Sequence, residues 1–408
     1  MTTTHTTVAA EIARGVDVSI IALVDCLIRE AFAARASDIH IDPTGKDVRV
    51  RYRVDGALHE AHLLPKTVHR EVVARIKIIA GLRIDEHNAT QDGRVRHYFD
   101  ETLTDCVDIR VSIAPTYHGE NVVMRLLSDR EQHFSLDALG FSAGDQKKIL
   151  KAIKKPTGMI LATGPTGSGK TTTLYTLVKM LNAKDISIVT LEDPVEYAID
   201  GIEQIQVNPF VGLTFASGLR SLLRQDPDII MVGEIRDIDT ATIAVNTALT
   251  GHLLLSTLHT NDAATTLPRL MEMRIEPYLV ASTVSIAIGQ RLVRRLCEKC
   301  KEAHTLSDAE FESLSEVAEL KGLKPGMTMY QSVGCAECND TGFRGRIGVN
   351  EVLVSDDDIR EAILKKSSAK DIRDIVVRNG MTTMLEDGLE KARTGLTTIT
   401  EVLRVIHE

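Results

Sequence analysis

Apolar residues recur at helical spacing through 17–36, where Ile20, Leu23, Val24, Leu27, Ile28 and Ala31 share one face. Short alternating segments follow at 38–41 and 48–54. A second helical pattern then covers 66–80, and strand patterns cover 107–113 and 121–127. These elements predict a small α/β domain that ends in a linker over 128–143. From Lys147 the pattern changes. The runs 159–162, 186–191, 229–232 and 252–258 are short and apolar throughout, and helical patterns at 170–181, 240–249 and 263–273 alternate with them. Uninterrupted apolar runs between helices indicate strands buried on both faces of a parallel sheet. Residues 278–296 read as one long helix, and the chain from about 355 reads as helical. The expected division is a tail over 1–16, an α/β domain over 17–130, a linker over 131–145, a core over 146–296, a cysteine-bearing region over 297–350 and a helical region over 351–408.

The chain has 408 residues, enough for two or three domains, with 43% apolar and 26% charged residues. No run approaches eighteen uninterrupted apolar residues, and the N-terminus lacks a basic stretch followed by an apolar one, so neither a membrane span nor a signal peptide is expected. A cytoplasmic protein that meets the membrane only through partners fits this reading. The net charge of −9 gives no global attraction for nucleic acid.

Residues 164–172 read GPTGSGKTT between the apolar run 159–162 and the helical pattern that follows. Strand, glycine-rich loop and helix in that order make a phosphate-binding site. Gly164, Pro165, Thr166, Gly167, Ser168, Gly169, Lys170, Thr171 and Thr172 would wrap a nucleotide's phosphates with backbone N–H groups. Lys170 supplies a positive charge, and the Thr171 hydroxyl is placed as a Mg²⁺ ligand. Two later strands close in acids, LEDPVEY at 191–197 and VGEIRD at 232–237. Ligands bind at such strand ends. A carboxylate there can hold Mg²⁺ or activate water, which makes Glu192 and Glu234 candidates. Gly233 stands where many phosphate-loop ATPases carry a second acid, so the two roles cannot fall to adjacent residues. The alternative is that these acids simply cap strands at a solvent-facing edge. The string GHLLLSTLHTN at 251–261 adds hydroxyls, His252 and His259 to the same sheet edge, where they could sense a γ-phosphate or serve as ordinary turn residues.

Cys297 and Cys300 form one C-x-x-C pair and Cys335 and Cys338 another, separated by 34 residues. Four thiolates suit a tetrahedral Zn²⁺, although this separation exceeds common finger spacing, and a redox pair is the alternative. Cys26 and Cys106 read as isolated core thiols.

The phosphate loop, LEDPVEY, VGEIRD and GHLLLSTLHTN resemble the Walker A, Asp box, atypical Walker B and His box of the secretion ATPases that drive type II secretion and type IV pilus assembly. ASDIHIDP at 36–43, QDGR at 91–94 and DIRVSI at 108–113 resemble the N-terminal half of the same family, so the likeness runs over about 17–405. It implies a RecA-like core after a smaller PAS-like α/β domain, a zinc-binding insertion and a helical C-terminus. It further implies a homo-hexameric ATPase, using ATP and Mg²⁺, that moves an inner-membrane platform protein. Arginines matching Arg94, Arg110 and Arg125 would reach the phosphates, Glu192 would activate water, Glu234 would partner Mg²⁺, and His259 would belong to the catalytic set. Arg110 and Arg125 sit on apolar strands, where a buried guanidinium needs an anionic partner; a structural ion pair is the alternative. Family members commonly carry extra N-terminal domains, whereas about sixteen residues precede the first helix here. Retraction motors of the family lack the two cysteine pairs, which favours assembly or secretion.

A hexameric nucleic-acid translocase shares the core but should show stacking aromatics, and aromatic residues are only 4% with no tryptophan. A non-hydrolysing scaffold would tolerate loss of Glu192 or Glu234, and both are present.

Overall fold

The computed structural model describes residues 7–99, 106–127, 135–317 and 322–407. The chain divides into two compact units, Met1–Glu131 and Gln132–Glu408. Within the stretch expected as a tail, Thr7 caps a short helix, Val8–Ala13, whose Val8 is fully buried. Residues 128–134 of the expected linker lie outside the described residues, and Ser142 then caps the helix Ala143–Ile153.

The first unit is built on a six-stranded antiparallel sheet. Its strands are β1 (Ala36–Pro43), β2 (Asp47–Val54), β3 (Ala57–Pro65), β4 (Gln91–Tyr98), β5 (Cys106–Thr116) and β6 (Gly119–Leu127), in the spatial order β3-β2-β1-β6-β5-β4. Strand alternation turns Ile39, Ile41, Ile109, Val111, Ile113, Val122 and Met124 into one core with the helices Ile20–Ala33 and His69–Ile79. The other face keeps the polar residues. Strands β3 and β4 are absent from the sequence expectation because neither alternates cleanly: β3 exposes Leu58 and Leu63 and buries Leu64, and the inward positions of β4 are only half-buried.

The second unit holds β7 (Gly158–Thr163), β8 (Ile188–Glu192), β9 (Glu203–Gln206), β10 (Ile229–Val232), β11 (Leu253–Leu258), β12 (Val284–Leu296), β13 (Lys301–Thr305), β14 (Thr328–Ser332) and β15 (Phe343–Val354). Seven of them form a sheet in the order β15-β12-β7-β11-β10-β8-β9, parallel throughout except for the β12–β15 pair. One face packs against the helices Ala143–Ile153 and Lys170–Leu181. The other packs against Ile238–Leu249, Ala263–Glu272 and the C-terminal helices Asp357–Leu364 and Ala369–Arg378. Every residue of β7 and β11 is buried, as expected for central strands.

The long helix expected over 278–296 does not exist. A short helix, Pro277–Thr283, ends where β12 begins, and β12 lies between β7 and β15 with nearly all of its residues buried. A strand covered on both faces loses its polar alternation, and its apolar run then mimics a buried helix. Strand β15 starts five positions after Cys338 and returns to this sheet, while β13 and β14 form a separate two-stranded ribbon beside the cysteines.

Candidate nucleotide and metal sites

The loop after β7 closes over the N-terminus of the helix Lys170–Leu181. Gly164, Gly167 and Gly169 take φ values of 144°, 80° and 90°, which only glycine adopts without strain. A Cβ at Gly164 would lie 2.4 Å from the Gln290 carbonyl oxygen, so the loop is pinned against β12. Thr173 Oγ1 donates to Gln290 Oε1 at 2.8 Å and ties the helix to the same strand. The helix N-terminus leaves unsatisfied N–H groups facing the loop, and Thr171 is exposed there. Ser168 Oγ is buried without an internal hydrogen-bond partner, as a group that meets a ligand oxygen would be. Lys170 Nζ donates to the carbonyls of Gly164 and Pro165 at 2.8 and 2.9 Å. Burial brings its amine down to about 8, against the opposing attraction of the Glu234 carboxylate.

Glu234 follows β10 and is mostly buried. Its Oε2 accepts from Arg236 Nε at 2.6 Å and meets His259 Nε2 at 3.0 Å. Lys170, Glu234 and His259 thus come from the ends of three adjacent strands, in the order β7, β11 and β10 across the sheet. At the tip of β7, Thr163 Oγ1 bonds the Thr260 hydroxyl and accepts from Thr260 N at 3.1 Å, and Thr260 meets Thr266 at 3.0 Å. Those bonds carry the His-box turn on the phosphate-loop strand.

His252 belongs elsewhere. It precedes β11, whereas His259 follows it, so about 20 Å of strand separates the two at roughly 3.3 Å per residue. His252 Nδ1 meets the Thr247 carbonyl oxygen at 3.2 Å, an ordinary turn contact at the far sheet edge.

Glu192 ends β8 and is 3% exposed. Its Oε1 accepts from Thr190 Oγ1 at 2.5 Å and Gln204 Nε2 at 3.1 Å, and its Oε2 accepts from the Tyr175 hydroxyl. Sequence reasoning missed Tyr175, Gln204 and Gln290, because each reaches the site from an element whose position only the sheet order reveals.

In the first unit the register places Arg94 opposite Arg110 and Arg110 opposite Arg125, a row of three guanidinium-bearing side chains across β4, β5 and β6. Asp38 of β1 continues the row, accepts from Arg125 Nε at 2.9 Å and lies 3.6 Å from Arg53 Nε. Arg125 thus has an anionic partner within its own unit, the structural alternative named from the sequence, and alternation turns it to the outer face, where its side chain is 57% exposed.

The four paired cysteines converge. Their sulfur atoms lie within 4.8 Å of one another, with Cys297–Cys335 at 3.9 Å and Cys300–Cys338 and Cys335–Cys338 at 3.7 Å. A tetrahedron with metal–sulfur bonds of about 2.3 Å has edges of about 3.8 Å, so the spacing fits zinc. Backbone N–H groups of Cys335 and Gly342 each point at Cys338 Sγ at 3.2 Å.

Among the described residues no helix is long and apolar enough to cross a membrane. The chain is 49% identical over 382 residues to the type IV pilus assembly ATPase PilB of Thermus thermophilus, a match covering 92% of this chain and 42% of that protein. It is 44% identical over 392 residues to the type II secretion system ATPase E of Vibrio cholerae, covering 96% of this chain and 76% of the relative. The chain therefore spans less than half the length of the Thermus protein. Its fold is like that of the Legionella pneumophila ATPase DotB, with a TM-score of 0.67 at 22% identity, over 94% of this chain and 95% of that one. The model of the family described as "Type II/IV secretion system protein" matches residues 15–404. A RecA-like sheet with its phosphate loop, a preceding α/β unit and a four-cysteine cluster, all within that match, make this chain a member of the type II/IV secretion system protein family.

Proposed function

We propose that this chain is an ATP-hydrolysing motor subunit that works in a homo-hexamer on an inner-membrane platform protein of a pilus-assembly or secretion machine. The observation that carries this reading is the convergence of Lys170, Glu234 and His259 at one sheet edge around a glycine cradle. ATP would sit with its phosphates in the loop 164–172, with Lys170 leaving its carbonyl partners to clamp them. Thr171 and Glu234 would hold Mg²⁺, which would supply positive charge against the developing phosphate charge. Glu192 accepts the proton of the attacking water, and His259 reports the state of Glu234 to the His-box turn. The arginine row lies in the unit that does not carry the phosphate loop, and phosphate sensing by these arginines is part of the same reading. Cys297, Cys300, Cys335 and Cys338 would hold a closed structural Zn²⁺ site.

Purified protein should hydrolyse ATP in Mg²⁺, and Lys170→Ala should abolish turnover while leaving the fold intact. A folded Lys170→Ala protein working at the wild-type rate would remove the site.

A further inference from the structure

Glu192 is the most tightly surrounded carboxylate at the nucleotide edge, and its surroundings form a closed network. The Tyr175 hydroxyl donates to Oε2, while Thr190 and Gln204 donate to Oε1 at 2.5 and 3.1 Å. The orientation of the Gln204 amide is fixed by its other contacts. Its Oε1 accepts from Ile199 N at 2.6 Å, and its Nε2 also donates to the Tyr197 carbonyl at 3.1 Å, so Nε2 must face Glu192. Tyr175 is equally constrained. It is fully buried, its ring meets Tyr197 edge-on at 4.6 Å, and its oxygen accepts from Glu196 N at 3.3 Å. Burial and the Glu192 carboxylate both push the phenol well above its ordinary range, so it stays a donor at any physiological pH.

A carboxylate offers about four acceptor positions. Three are filled here by groups from β8, from β9 and from the helix that starts at Lys170. We propose that Tyr175 and Gln204 are positioning residues for hydrolysis: with Thr190 they lock the Glu192 carboxylate in one orientation and leave one lone pair for the attacking water. The inference rests on the reading of Glu192 as the water-activating acid. Tyr175 sits on the helix in direct continuity with the phosphate loop, so the placement of that helix and the orientation of the Glu192 carboxylate are linked. Thr190 serves the same carboxylate from its own strand, two residues back on the same side.

The test is steady-state hydrolysis by the full chain carrying Tyr175→Phe, Gln204→Ala, Glu192→Gln, and each of the first two combined with Glu192→Gln. Binding of fluorescent ADP and the thermal midpoint identify variants that remain folded. A hydrogen bond to a charged acceptor is strong enough that Tyr175→Phe should lower kcat on the order of 10-fold. KM for ATP and ADP affinity should stay within about twofold, because uniform binding is untouched. Combined with Glu192→Gln, neither substitution should lower kcat further, since both act through the missing carboxylate. If Glu192→Gln is inactive while folded Tyr175→Phe and Gln204→Ala turn over at the wild-type rate, or if their losses add to that of Glu192→Gln, the positioning role is wrong and the water-activating role stands. If Glu192→Gln itself hydrolyses ATP normally, the water-activating reading fails and takes this inference with it.

Discussion

At the scale of single residues, the loop and the strand ends bring charged groups close to one another. Lys170 is buried against two loop carbonyls, and its amine titrates near 8 because burial disfavours the charged form. A phosphate clamp at Lys170, as proposed, would need the protonated amine. Above pH 8 the free amine is neutral and must take up a proton on binding, so nucleotide affinity should fall by up to about tenfold per pH unit there and stay level below pH 7. Titration of fluorescent ADP between pH 6.5 and 9.5 measures this, and a flat profile would show that Lys170 keeps its charge in the free protein. Residues of this kind were legible in the sequence because the loop motif fixes Lys170 by local spacing alone. Glu234 and His259 were legible for a related reason: each directly follows an apolar strand whose end defines the sheet edge. His252 misled because a strand has two ends and the sequence string containing it runs from one to the other.

At the scale of elements, legibility follows burial. The central strands β7, β10 and β11 announce themselves as short apolar runs, whereas β12 carries the same composition over thirteen residues and reads as a helix. Strand β9 has only four residues and presents no periodicity to detect. The two cysteine pairs were plain from their spacing, but the ribbon β13–β14 between them was not. That ribbon's small core, Leu306, Leu323 and Met329, leans on Leu389, Ala392, Ile399 and Leu403 of the C-terminal helices, and these are long-range contacts. So little apolar surface cannot hold a separate subdomain by itself. A structural zinc can contribute about 10–16 kcal/mol to the folding of such a unit. Metal analysis under reducing conditions should therefore return about one zinc per chain. Cys335→Ser should lower that value and open residues 297–342 to protease, while ADP binding persists because β12 and β15 are held in the large sheet. Zinc-free protein with four reactive thiols and unchanged protease resistance would overturn the assignment.

At the scale of the whole molecule, the residues of the proposed chemistry fall on two units. The second carries the phosphate loop and its acids, and the first carries the row Arg94, Arg110 and Arg125. Asp38 accepts from Arg125, and that pairing is the structural alternative to a phosphate-sensing role. Lysine substitution separates the two. A lysine at 125 can still pair with Asp38 as a point charge, so a merely structural Arg125 would be replaced with little loss. A guanidinium that must present a fork to phosphate oxygens would not. Arginines of this type contribute on the order of 10³–10⁵ in rate in other phosphoryl-transfer sites. Arg110→Lys and Arg125→Lys should accordingly cut ATP hydrolysis by at least about 100-fold while ADP binding and the thermal midpoint hold, because the first unit keeps its core and the loop keeps its lysine. Mixing Arg125→Lys chains with Lys170→Ala chains then asks whether a site is shared. Activity recovered in the mixture places the arginines on a neighbour's phosphates, and its absence places them on their own subunit's. Full activity of both lysine variants would reduce the row to a set of surface charges and leave the first unit without a part in the chemistry.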